Sequence, residues 1–112
     1  MGEISFTDFL KVEMRVGKIL RVALFPEARK PAYKLFIDFG PELGEKKTSA
    51  QITDLYQPAD LEGRLVVAVT NFPPKQIGKF MSEVLVLGAQ EDNGTVTLLA
   101  PDAQVPLGTR IA

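Results

Sequence analysis

Six cations stand between Arg15 and Phe36 (Arg15, Lys18, Arg21, Arg29, Lys30 and Lys34) against one anion, Glu27. The stretch from Asn71 to Ala89 adds Lys75 and Lys79 against Glu83. Tyr33, Phe36, Phe72 and Phe80 lie among these cations. Cations that track phosphate, interleaved with rings that stack on bases, are what holds single-stranded or looped nucleic acid. Acid gathers elsewhere, at Glu42, Glu45, Asp54, Asp60, Glu62 and Glu91-Asp92. The formal net charge of −1, from 13 Lys+Arg and 14 Asp+Glu, is therefore compatible with a basic face opposite an acidic one. Plain solvation explains isolated exposed charges equally well. Arg15, Lys18 and Arg21 recur every three residues, and on a regular strand such residues do not share a face. Tyr33 and Phe36 fall on opposite parities, so at least one belongs to the core. Phe72, ahead of Pro73 and Pro74, suits a packing plug as well as a stacking platform.

The chain has no cysteine and no histidine. That excludes disulfides, zinc thiolates, thiol nucleophiles and histidine-dependent triads. Ser49 and Ser82 have no base to activate them, and Gly40-Pro41-Glu42-Leu43-Gly44 lacks the Lys-Ser/Thr ending of a phosphate loop. Glu42 and Glu45 read as exposed turn acids rather than ligands of a hard cation. No nucleophile–base pair can be named, so the expectation is a binding protein rather than an enzyme, with no cofactor and no metal. No segment reaches the ~18–20 apolar residues of a membrane span, and no secretory leader is recognisable, so a cytoplasmic location is expected.

The elements that must position these groups follow from periodicity. Phe6, Phe9, Leu10 and Glu13 have helical spacing behind Ser5 or Thr7 as N-cap, which predicts one short helix over 5–13 with an apolar face needing cover. Val16 to Ala23 is a long strand with a bend expected at Gly17. Phe25 to Pro31 is a loop, and Tyr33, Leu35, Ile37 and Phe39 alternate with Lys34, Phe36 and Asp38 in a strand ending at Gly40-Pro41. Gly44 to Lys47 reads as a turn, Thr48 to Ile52 as a strand, and 54–61 as a helical turn broken at Pro58. Arg64 to Thr70 is the best central strand. Asn71 to Phe80, with two prolines, reads as a long loop. Glu83 to Gly88 and Thr95 to Ala100 flank a turn at Asn93-Gly94. Pro101, Pro106 and Gly108 predict an irregular tail lying on the surface. Residues 1–112 then make a single all-β domain. Its helical connector between the third and fourth strands fits a five-stranded Greek-key OB-fold barrel, although periodicity alone does not separate it from an SH3-like barrel.

Glu13-Met14-Arg15-Val16-Gly17-Lys18-Ile19 resembles the opening strand of the tRNA-binding domain shared by EMAP-II-like proteins and the C-terminal domain of some methionyl-tRNA synthetases. Ser49-Ala50-Gln51-Ile52-Thr53, Asn71-Phe72-Pro73-Pro74-Lys75-Gln76-Ile77 and Ser82-Glu83-Val84-Leu85-Val86-Leu87-Gly88 are similar to its free-standing bacterial branch. Phe25-Pro26-Glu27-Ala28-Arg29 and Ile37-Asp38-Phe39-Gly40 fit as well, and the similarity runs from Phe6 to Ile111. The resemblance implies an OB barrel whose N- and C-terminal extensions form a homodimer, with Phe6, Phe9 and Leu10 in its seam. It implies tRNA as partner, bound by shape and phosphate contacts, with the RNA-contacting loop falling on Asn71, Lys75, Lys79 and Ser82. Asn71 and Ser82 could instead cap their own loop.

Two departures stand out. Val84-Leu85 occupies the place of the family's usual Gly-Met, so contacts made through that Met do not carry over. Glycine sits at Gly78, with Lys79 at the family's glycine position. With Arg29, Lys30 and Lys34 from the charge pattern, these residues make the expected RNA site. The free-standing branch is also described as a chaperone connected with protein export. That implies a second expectation, in which unfolded preproteins bind an apolar groove built from Phe72, Ile77, Phe80 and Met81.

Overall fold

A computed structural model describes residues 2–112. Ser5 caps α1 (Phe6–Leu10), its hydroxyl accepting from the Asp8 N–H while the Asp8 carboxylate accepts from the Ser5 N–H. This reciprocal pair fixes the helix start. The helix stops at Leu10, so Glu13 lies outside it. An 11-residue strand follows, β1 (Met14–Leu24), then β2 (Tyr33–Asp38) and β3 (Glu45–Ala50). Between β2 and β3 the expected turn is a short helix, α2 (Gly40–Leu43), and β3 begins three residues earlier than its composition suggests. In α3 (Pro58–Leu61) proline opens the helix instead of breaking it, since the first turn needs no donor from that position. β4 (Leu65–Val69) is the apolar central strand. The 71–80 segment is not a plain loop. Past the prolines, β5 (Lys75–Ile77) and β6 (Phe80–Ser82) pair as a hairpin turning at Gly78-Lys79, with Gly78 at φ 61°. The stretch 83–88 divides into β7 (Leu85–Val86) and the start of β8 (Gly88–Gln90), and β8 pairs with β9 (Val96–Leu98) around Asn93-Gly94.

Strands β3-β2-β1-β4-β7 form one antiparallel sheet. Its two edges approach each other. The Glu83 N–H donates to the Lys47 carbonyl (2.8 Å), the Lys47 N–H donates to the Glu83 carboxylate (3.0 Å), and the Thr48 hydroxyl donates to the Val84 carbonyl (2.6 Å). The sheet is thereby a nearly closed five-stranded barrel of the OB type, with α3 between β3 and β4. Tyr33, Leu35 and Ile37 point inward and are buried, whereas Lys34, Phe36 and Asp38 face outward. Ile19, Leu35, Ile37, Phe39, Leu61 and Val66 make the most deeply buried core.

Gly17 is not where β1 bends. A Cβ there would stand 2.6 Å from the Ile37 side chain and 2.7 Å from the Phe39 ring, so glycine is required for close packing over the core. The irregularity lies between Ile19, paired with Ile37, and Arg21, paired with Phe36. Leu20 is the extra residue of a β-bulge. By simple alternation Arg21 would share the inward parity of Ile19. The bulge turns it out, so Lys18 and Arg21 do stand on one face, contrary to the three-residue spacing rule.

The C-terminal tail is irregular, as its prolines and Gly108 predict, but it lies along β1, held by an isolated bridge between Arg15 and Arg110 and by backbone hydrogen bonds. Val16 N–H donates to Thr109 O (2.9 Å), Gly108 N–H to Val16 O (2.8 Å) and Ile111 N–H to Met14 O (2.9 Å). Arg15, on the inward parity, donates to the Gly108 carbonyl and pairs with Glu13 and Glu42 at 3.5 and 3.6 Å. It therefore belongs to this seam and not to the basic face.

Candidate nucleic-acid interface

The β1–β2 loop and the β5–β6 hairpin meet on the outside of the barrel. Phe25 and Phe80 pack at 5.4 Å between ring centroids, tilted by 59°, and with Ala32, Ala28 and Ile77 they form a small apolar cluster apart from the main core. This contact joins the two basic segments. Arg29 and Lys30 on the loop and Lys75 and Lys79 on the hairpin are all exposed, and none has a carboxylate partner among the described residues.

Lys34 differs from those four. It is three-quarters buried, pairs with Glu27 at 3.7 Å and lies over the rings of Phe25 (4.8 Å) and Phe80 (5.3 Å). Glu27 was visible in the charge count, but its proximity was not, and Lys34 is partly neutralised. Composition alone puts Lys47 in a turn. It lies on β3 with its ammonium 5.4 Å from the Phe80 centroid, a cation that alternation would have revealed once the strand start was known.

Asn71 and Ser82 are committed to the barrel's own joints. The Asn71 amide donates to the Lys11 carbonyl (2.7 Å) and accepts from the Glu13 N–H (3.0 Å), tying the end of β4 to the α1–β1 link. Beside it the Thr70 hydroxyl donates to the Glu13 carboxylate (2.7 Å) and holds that carboxyl below the usual range, with Arg15 and Arg110 acting in the same direction against partial burial. Ser82 accepts from the Ser49 N–H (3.1 Å) and sits 2.9 Å from the Thr48 hydroxyl. Since Thr48 gives its proton to Val84, the Ser82 proton goes to Thr48. A chain of hydrogen bonds then runs across the barrel's closing edge.

Of the four apolar groove residues, Phe72 and Ile77 line a cleft of about 670 Å³ beside the hairpin, together with Lys75, Val84, Val86 and Gln51. Phe80 is buried against Phe25 and is not available to a groove, and Met81 lies on the hairpin outside the cleft. At the other end of the chain, Phe6 and Leu10 are 73% and 50% exposed, and no residue of α1 is buried. No helix among the described residues is long and apolar enough to cross a membrane.

Residues 14–110 match the family model described as "Putative tRNA binding domain". The chain is 36% identical over 109 residues to a methionine–tRNA ligase of Archaeoglobus fulgidus and, to the same extent, to methionine–tRNA ligase 1 of Bacillus anthracis. Each alignment takes in 97% of this chain but only 16% of the ligase, so the chain spans about a sixth of these curated relatives. Among solved structures, the chaperone CsaA of Bacillus anthracis superposes with a TM-score of 0.94 at 50% identity, covering 99% of this chain and all of that one. The CsaA chaperone protein of Picrophilus torridus gives 0.91 at 53% identity, covering 98% and 100%. A barrel built on this strand order, with these motifs matched from Met14 to Arg110, makes the chain a member of the tRNA-binding domain family.

Proposed function

We propose that the whole chain acts as one non-catalytic, homodimeric unit that binds tRNA by shape and phosphate contacts. Arg29, Lys30, Lys75 and Lys79 meet phosphates directly, Lys34 adds a partly neutralised charge, and Asn71 and Ser82 hold the loops in position. The observation that carries this reading is the Phe25–Phe80 contact, which brings two unpaired basic segments together on one side of the barrel. Membership of the family supports the choice of RNA.

If about four phosphates are neutralised per copy, log K against log salt should fall with a slope near −3 to −4. Fluorescence anisotropy of labelled tRNA between about 50 and 200 mM salt measures it, and a flat response overturns the reading.

The exposed face of α1 supports a second copy as its cover, which would present the basic surface twice to one folded RNA. Sedimentation velocity should return about twice the 12.3 kDa of one chain. A single-chain mass would remove the dimer from the proposal. The apolar cleft and the CsaA neighbours favour a second activity, holding unfolded protein segments. In that case association persists at high salt and follows the apolar content of the client.

A further inference from the structure

Glu27 is the only acid in the loop that carries Arg29 and Lys30, and its carboxylate stands 3.7 Å from the Lys34 ammonium. Both partners are anchored through Phe25. The Ala28 N–H donates to the Phe25 carbonyl (3.2 Å), which closes the turn holding Glu27. The Phe25 ring lies under the Lys34 ammonium at 4.8 Å, with Phe80 beside it at 5.3 Å. Lys34 is three-quarters buried, while Glu27 is mostly exposed and covers it from the solvent side. Arg29, Lys30, Lys75 and Lys79 have no such counterion among the described residues.

We propose that Glu27 withholds Lys34 from RNA: its carboxylate occupies the place of a phosphate on that ammonium and stays there when tRNA binds. This rests on the RNA-binding reading and adds what limits the strength of that site. A carboxylate tethered seven residues from its partner, in a closed turn, has a high effective concentration there and little freedom left to lose. A phosphate reaching Lys34 must displace it and then lie beside a second negative charge, a repulsion that grows as water is excluded. The four unpaired cations offer a strand the same attraction without that cost. The site therefore makes one phosphate contact fewer than its cations allow. Affinity differences within one interface fall mostly on the off-rate, so the withheld contact shortens the life of the complex.

Glu27→Gln keeps the side-chain length and frees Lys34. It should tighten labelled tRNA about 3- to 10-fold near 50 mM salt and steepen the slope of log K against log salt by about 0.7–0.9, the value for one more phosphate. Reductive methylation with isotope-labelled formaldehyde leaves each lysine charged and gives it an NMR signal, and the Lys34 signal is the one lost in Lys34→Arg. When tRNA is added to the natural chain, the Lys75 and Lys79 signals should move and that of Lys34 should not. In Glu27→Gln the Lys34 signal should move as well. Affinity unchanged in Glu27→Gln, or a Lys34 signal that already moves in the natural chain, overturns this inference. Tightening in Glu27→Gln while the Lys34 signal stays still also overturns it, since the gain then comes from net charge alone. In each of these cases tRNA still binds with its steep salt slope, and only the role of Glu27 fails. If neither chain binds tRNA and no lysine signal moves, the RNA reading fails with it.

Discussion

Phe80→Ala is expected to lower the unfolding free energy by about 3 kcal/mol and to weaken tRNA binding in the same protein. The ring is 9% exposed, packs on Phe25, and lies beneath the ammonium groups of Lys34 and Lys47. Truncation removes the largest side chain that the hairpin contributes to the satellite cluster, with Ile77 left behind, and opens a cavity between two loops. The stability loss is read from urea denaturation. The affinity loss must be measured at a temperature where the variant is still folded. Phe80→Leu, which keeps most of the apolar volume, should recover most of both. A variant that unfolds more easily yet binds tRNA as well as the natural chain would show that the loops need not be joined.

Reversing two charges, Arg29→Glu with Lys79→Glu, should weaken tRNA binding on the order of 100-fold at low salt, and the deficit should shrink as salt is added. One residue comes from each of the two loops, and neither makes an ion pair that the change would break. Thermal stability should therefore stay within experimental scatter, which separates this variant from Phe80→Ala. Anisotropy with labelled tRNA reads the effect. Unchanged affinity would mean that phosphate docks on another surface.

The sequence made some of this architecture readable and hid the rest for identifiable reasons. β2 and β4 were plain because Tyr33, Leu35 and Ile37 alternate cleanly and Leu65–Val69 is a continuous apolar run. The β5–β6 hairpin was hidden by Pro73-Pro74, which interrupt pairing before it begins, and by strands of only three residues. The start of β3 was masked because Glu45, Lys46 and Lys47 are charged on both parities, and their pairing partner is β2, seven or more residues upstream. Asn71 illustrates a different gap. A polar side chain near the RNA-contacting motif reads as a ligand contact, yet its partners are Lys11 and Glu13, about sixty residues earlier. Spacing carries local periodicity but not such distant closures. The basic loops were evident from composition, while the aromatic contact joining them depended on which of four rings turned inward.

The bulge at Leu20 has a consequence for how this chain can vary. Straightening the strand with Leu20 kept in regular pairing would put Arg21 opposite Leu35 and Val22 opposite Lys34, sending a guanidinium toward the core and an isopropyl group out to water. Deleting Leu20 leaves Arg21 opposite Phe36 and Val22 opposite Leu35, so the strand can shed this residue, as surface loops such as 91–95 can drift in length, without exchanging its sides.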